Sequence, residues 1–110
     1  MASTGQNFSM YQGETRVVTV TIPSGVTVSS TDAIKWVMAT AAGVALVTKT
    51  QAGGGIGNRT STAFDIYLYP ADTVNVVNGE HIHEARVTNA DGDECVVTVG
   101  TVSLSKSITK

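Results

Sequence analysis

Apolar residues recur at every second position in several short runs, each closed by turn-forming residues, which is the signature of strands with one buried face. Helical periodicity is nearly absent. Between Thr15 and Ile22, the residues Val18, Val20 and Ile22 share one face, Val17, Thr19 and Thr21 take the other, and Pro23-Ser24-Gly25 stops the run. From Ala33 to Thr40, alternation groups Ile34, Trp36 and Met38 against Lys35 and Val37, so the tryptophan is expected in the core. Gly43 separates this run from Val44 to Thr50, predicting a hairpin, and Ala52 to Asn58 follows as a flexible glycine-rich connection. Phe64, Ile66 and Leu68 then alternate with Asp65, Tyr67 and Tyr69, giving an inward face and an opposite face with two tyrosines.

The next segment changes character. Pro70-Ala71-Asp72-Thr73 cannot continue a central strand, because proline lacks an amide donor, and it suits a one-turn helix with Pro70 near its first position. Val74, Val76 and Val77 lead to a turn at Asn78-Gly79. His81 to Thr88 and Glu94 to Ser105 form a final pair joined by Asn89-Ala90-Asp91-Gly92-Asp93, a β-hairpin in which Gly92 takes positive φ. Gly100 interrupts the last strand and marks either a bulge or a close backbone approach. About seven short strands at this spacing predict an all-β, immunoglobulin-like antiparallel sandwich, with a small open β-barrel as the competing architecture.

Composition narrows the class. The 110 residues match one domain, spanning 1–110. A net charge of −2 offers a phosphate backbone no attraction, so nucleic acid is not an expected partner. Charged residues make up 15% of the chain against roughly 25% in ordinary globular domains. A surface so sparsely charged is expected to be partly covered by a neighbour. The start of the chain shows no export signal and no run is long enough to span a membrane, so neither export nor a membrane partner is expected. Cys95, the single cysteine, cannot form an intrachain disulfide and reads as a small buried hydrophobe among valines.

Few residues suggest chemistry. His81 and His83 lie on one face of a strand, with Glu84 following, and could form part of a zinc or copper site if further ligands came from carboxylates or a neighbouring subunit. The competing reading makes them partly buried polar groups with hydrogen-bond partners. Asp91-Gly92-Asp93 resembles a fragment of a calcium loop but lacks the remaining oxygen ligands, and it reads as a hairpin turn. The glycines at 53–55 have neither a lysine to reach a phosphate nor a strand-to-helix context. No catalytic grouping and no cofactor site can be picked out, so an enzyme is not expected. Tyr67 and Tyr69, together with Gly53, Gly54 and Gly55, form the candidate protein interface, since tyrosines offer contact area at low entropic cost; simple cross-strand packing is the alternative.

Four segments carry a family resemblance: "YQGET" at Tyr11–Thr15, "LYPADT" at Leu68–Thr73, the strand start at Gly79–Glu84, and "TNADGDECVVTVGTV" at Thr88–Val102. In this order they resemble the small immunoglobulin-like modules of tailed bacteriophages, such as the amino-terminal module of siphophage baseplate upper proteins and related head, neck and tail accessory proteins. The chain departs from that pattern at His81, where an aromatic residue is expected, and in its glycine loop at 53–57. The resemblance implies a non-catalytic structural protein of the virion, made in the bacterial cytoplasm. Its partners would be other virion proteins, namely capsid, connector, baseplate or fibre, in a symmetric multi-copy assembly. The alternative function is a module that binds a host surface or a glycan.

Overall fold

A computed structural model of the chain describes residues 6–23, 28, 31–60 and 62–108. The strands are β1 (Phe8–Tyr11), β2 (Arg16–Thr21), β3 (Ala33–Ala39), β4 (Ala45–Thr50), β5 (Ile56–Gly57), β6 (Ala63–Leu68), β7 (Gly79–Thr88) and β8 (Glu94–Ser105), with one short helix, α1 (Pro70–Thr73), between β6 and β7. They form a five-stranded sheet in the order β1-β8-β7-β3-β4 and a three-stranded sheet in the order β2-β6-β5. Two separate sheets exclude the barrel. The order β8-β7-β3-β4 facing β2-β6-β5 matches the G-F-C-C′ and B-E-D arrangement of variable-type domains, so the fold is an immunoglobulin-like β-sandwich.

The inward positions read from the alternation meet in the interior. Val20, Trp36, Met38, Phe64, Ile66 and Leu68 are fully buried, while Val17 on the opposite face of β2 is exposed. Burying each large side chain contributes roughly 1.5–3 kcal/mol. In antibody domains the tryptophan of the third strand packs against an inter-sheet disulfide. With one cysteine, this chain has no such bond, and Trp36 makes a polar contact with His83 on β7 instead.

Several details differ from the sequence reading. Two strands were not anticipated: β1, which pairs in parallel with β8 (Phe8↔Val102 to Tyr11↔Ser105), and β5, which lies inside the glycine-rich connection. The β7–β8 register shifts between Ala85 and Arg86, leaving Val97 as the extra residue of a bulge. That bulge buries Val97 and Thr98 in succession and leaves Cys95 only partly buried at the core margin, not inside it. The bulge is therefore not at Gly100, which marks a close approach described below. Gly92 has φ +86°, as the hairpin requires. Of the turn read at Pro23-Ser24-Gly25, Ser24 and Gly25 lie outside the described residues.

Candidate functional site

Among the described residues, Tyr69 before α1 and Val74 and Val77 after it are exposed. Tyr69 precedes the helix and its backbone N–H donates to Asp72 Oδ2 at 2.7 Å, which closes the first turn behind Pro70. Lys49 pairs with Trp36 across β3–β4 and so projects from the core face of the edge strand toward the seam between the sheets. There its Nζ meets Asp72 Oδ2 at 2.8 Å and stands 5.2 Å from the centre of the Tyr69 ring. Gly55 makes room for the lysine stem, because a Cβ at that position would lie 2.6 Å from Lys49 Cδ.

Tyr67 and Tyr69 have different environments. The Tyr67 ring lies over Gly57, where an added Cβ would meet it at 2.7 Å, and Tyr67 is half-buried. Tyr69 is 51% exposed. The glycine segment is a pinned turn: Gly53 N–H donates to Thr50 Oγ1, Gly54 N–H to the Gln51 carbonyl, and the Gly55 carbonyl accepts from Tyr67 N–H. Gly53 and Gly54 are exposed and Gly55 is buried. The interface candidates thus adjoin one another around Lys49, with Tyr69, Gly53 and Gly54 on the surface and Tyr67 and Gly55 in packing roles.

A further set of residues, missed in the sequence, extends the apolar surface beyond α1. Thr73, fully buried, accepts from Gly13 N–H at 2.9 Å, and Gln12 Nε2 donates to the Val76 carbonyl. These bonds clamp the turn after β1 onto the segment after α1. The segments so joined carry exposed Tyr11, Val74 and Val77, 74% exposed at Val77, and Ile108 lines a shallow groove with Tyr11, Glu14 and Lys106. Two of the resemblance motifs, Tyr11–Thr15 and Leu68–Thr73, therefore meet at one end of the sandwich. Nothing local announced this, since the residues lie about sixty positions apart along the chain.

His81 and His83 point inward and use their ring nitrogens on the protein itself. His81 Nε2 donates to the Val77 carbonyl at 2.7 Å. His83 Nε2 donates to the Gln6 carbonyl at 2.6 Å, and its Nδ1 accepts from Trp36 Nε1–H at 3.1 Å. Burial holds the His83 imidazole below its ordinary pKa, and the Gln6 carbonyl opposes this only in part. Among the described residues, no three His, Cys, Asp or Glu side chains converge on a point where a metal could sit. On the outer face of the small sheet, Asp65 accepts from Asn58 Nδ2 at 2.8 Å and from Thr19 Oγ1 at 2.7 Å. These bonds, Asn58 first, hold its carboxyl below the usual value.

No family model and no curated protein matches the chain. Among solved structures it is similar to the V domain of amphioxus IgVJ-C2, at 14% identity over 90% of this chain and 98% of that one, with a TM-score of 0.36.

Proposed function

We propose that the chain is a structural module of a tailed-bacteriophage virion, and that it docks on another virion protein through the apolar end of the sandwich around α1. The observation that supports this reading is that the segments bonded together at this end carry the exposed residues Tyr69, Val74, Val77 and Tyr11, with Ile108 in the groove beside Tyr11. Scattered exposed apolar residues are normal, whereas a contiguous group is typical of a surface that a partner covers. The two motifs that build this end also belong to the phage resemblance. Hydrogen bonds to Gly13, Val76 and Asp72 fix the backbone beneath the cluster, so docking requires little ordering.

Mass spectrometry of purified virions of the phage encoding the chain tests the proposal. Stoichiometric presence supports it, and absence from the particle rejects it. The adhesion alternative now rests on Tyr69, because the Tyr67 ring is engaged by Gly57. Binding of the isolated domain to a glycan array, lost in Tyr69→Ala, would replace the docking reading.

A further inference from the structure

The segment before β1 closes the open side of the sandwich, and Gln6 is its fastening. The Gln6 side chain pairs with the β2 backbone, donating from Nε2 to the Thr21 carbonyl at 3.0 Å and accepting from Thr21 N–H at 3.3 Å. Its own carbonyl crosses to the other sheet and accepts from His83 Nε2. Asn7 adds a bond from the Thr101 N–H to its Oδ1 at 2.9 Å. Gly100, opposite His83 in the β7–β8 register, allows the crossing: a Cβ there would stand 2.4 Å from the Gln6 carbonyl oxygen and 2.7 Å from His83 Nε2.

The chemistry at His83 permits one protonation state. A backbone carbonyl only accepts and an indole N–H only donates, so the ring must carry its proton on Nε2 and leave Nδ1 bare. A second proton would go to Nδ1 and face the Trp36 N–H, donor against donor. Turning the ring over does not help, because it puts ring carbons where the two nitrogens stood and both bonds are lost. Every element packed on the ring bears on the outcome. β1 contributes Phe8, whose ring centre is 5.4 Å away; β3 contributes Trp36 and Met38; β8 contributes Gly100. From β2, Arg16 lines the same groove as His83, and none of the described residues lining it is acidic. On its own strand, the nearest titratable group on the same face is His81, already bonded to the Val77 carbonyl. A cation at His83 therefore gains no counter-charge.

We infer that His83 is an acid-sensitive latch, whose protonation unseats the Gln6–Tyr11 segment from the sandwich. Trp36 is fully buried and fixed on the core face of β3, whereas β1 is a four-residue edge strand with one neighbour. The edge yields first. When the imidazolium leaves its slot, Gln6 loses its bond to β7, Phe8 loses the ring it packs against, and the side of β8 paired with β1 is opened. This inference stands on contacts remote from the apolar end and does not depend on the docking proposal.

Hydrogen exchange of the full chain, expressed as protection factors at pH 7.5 and 5.0, tests the latch. Protection of the amides in β1 and of its β8 partners should fall at least tenfold at the lower pH while β3 and β6 stay protected. In His83→Gln, whose side-chain amide can donate to Gln6 and accept from Trp36 but does not titrate, that loss should disappear. The wild-type protein provides a second readout, since Trp36 is the only tryptophan and its fluorescence should change with the same midpoint as the loss of protection. Unchanged β1 protection in the wild type, an equal loss in His83→Gln, or loss of β3 and β6 in step with β1 would each overturn the inference.

Discussion

Lys49 on the edge strand β4 and Asp72 in α1 form an ion pair across the seam of the sandwich, Nζ to Oδ2 at 2.8 Å, with both side chains largely shielded from water. Asp72 also caps the Tyr69 N–H, so one carboxylate ties strand, helix and the apolar end together. Asp72→Ala removes both contacts and should lower unfolding stability by about 1–3 kcal/mol. Asp72→Asn, which still accepts from Tyr69, should lose less. Urea titrations of the two variants measure the difference, and identical losses would show that the bond to Tyr69 N–H contributes nothing beyond the ion pair.

Trp36→Ala should cost about 3–5 kcal/mol, as expected when a large buried ring is deleted. Trp36→Phe keeps most of the apolar volume but leaves His83 Nδ1 without its donor, for about 1–3 kcal/mol. Because Nδ1 is then free to take a proton, the acid sensitivity of this variant should begin at a higher pH than in the wild type. Chemical unfolding of each variant across pH provides both values.

Stability should fall on acidification in two separate windows. His83 has a folded pKa below its ordinary value of 6.5, so between the two the unfolded chain binds more protons and stability rises with pH. Its contribution is whole above pH 6.5 and is lost as pH falls from there toward the folded value, with a slope of at most about 1.4 kcal/mol per pH unit. Asp65 is likewise depressed, so its contribution is present above the ordinary carboxylate value and is lost as pH falls through the lower folded one. Asp65→Asn should erase the second window only, and His83→Gln the first, as followed by midpoint of unfolding against pH.

The two glycine positions should respond differently to substitution. Gly92→Val forces a β-branched residue to φ +86° and should weaken the β7–β8 hairpin by about 1–3 kcal/mol. Gly100 has ordinary backbone angles, but Gly100→Ala sets a methyl group against the Gln6 carbonyl. Its expected effect is local: amide protection in β1 drops at neutral pH with a smaller change in global stability.

Tyr11→Ser and Val77→Ser lie on the exposed end and should leave the unfolding midpoint within about 0.5 kcal/mol of the parent. Under the docking proposal they should nevertheless reduce incorporation into virions several-fold, measured by quantitative mass spectrometry of purified particles.

The sequence disclosed what local periodicity encodes. The inward faces of β2, β3 and β6, the turn at Pro70 and the positive φ at Gly92 all follow from residue types a few positions apart. Features set by register were hidden. Lys49 looks like any solvated lysine until its pairing with Trp36 turns it inward. Cys95 sits among valines, yet the bulge at Val97 changes the parity of the strand before it and leaves the thiol at the margin. The run Phe8–Tyr11 is too short to stand out, and its partner is the far end of the chain. For the same reason the tyrosine pair was legible as a feature but not in its division of labour, which depends on Gly57 lying beneath one ring and Lys49 beside the other.

The parallel alignment of β1 with β8 determines how the domain carries load. A pull that draws the leading end of the chain away from the trailing end slides the two strands lengthwise past each other. All the ladder bonds from Phe8↔Val102 to Tyr11↔Ser105 are then strained together and do not peel open singly. A domain held at both ends thus gains resistance to stretching from only four residues of edge strand.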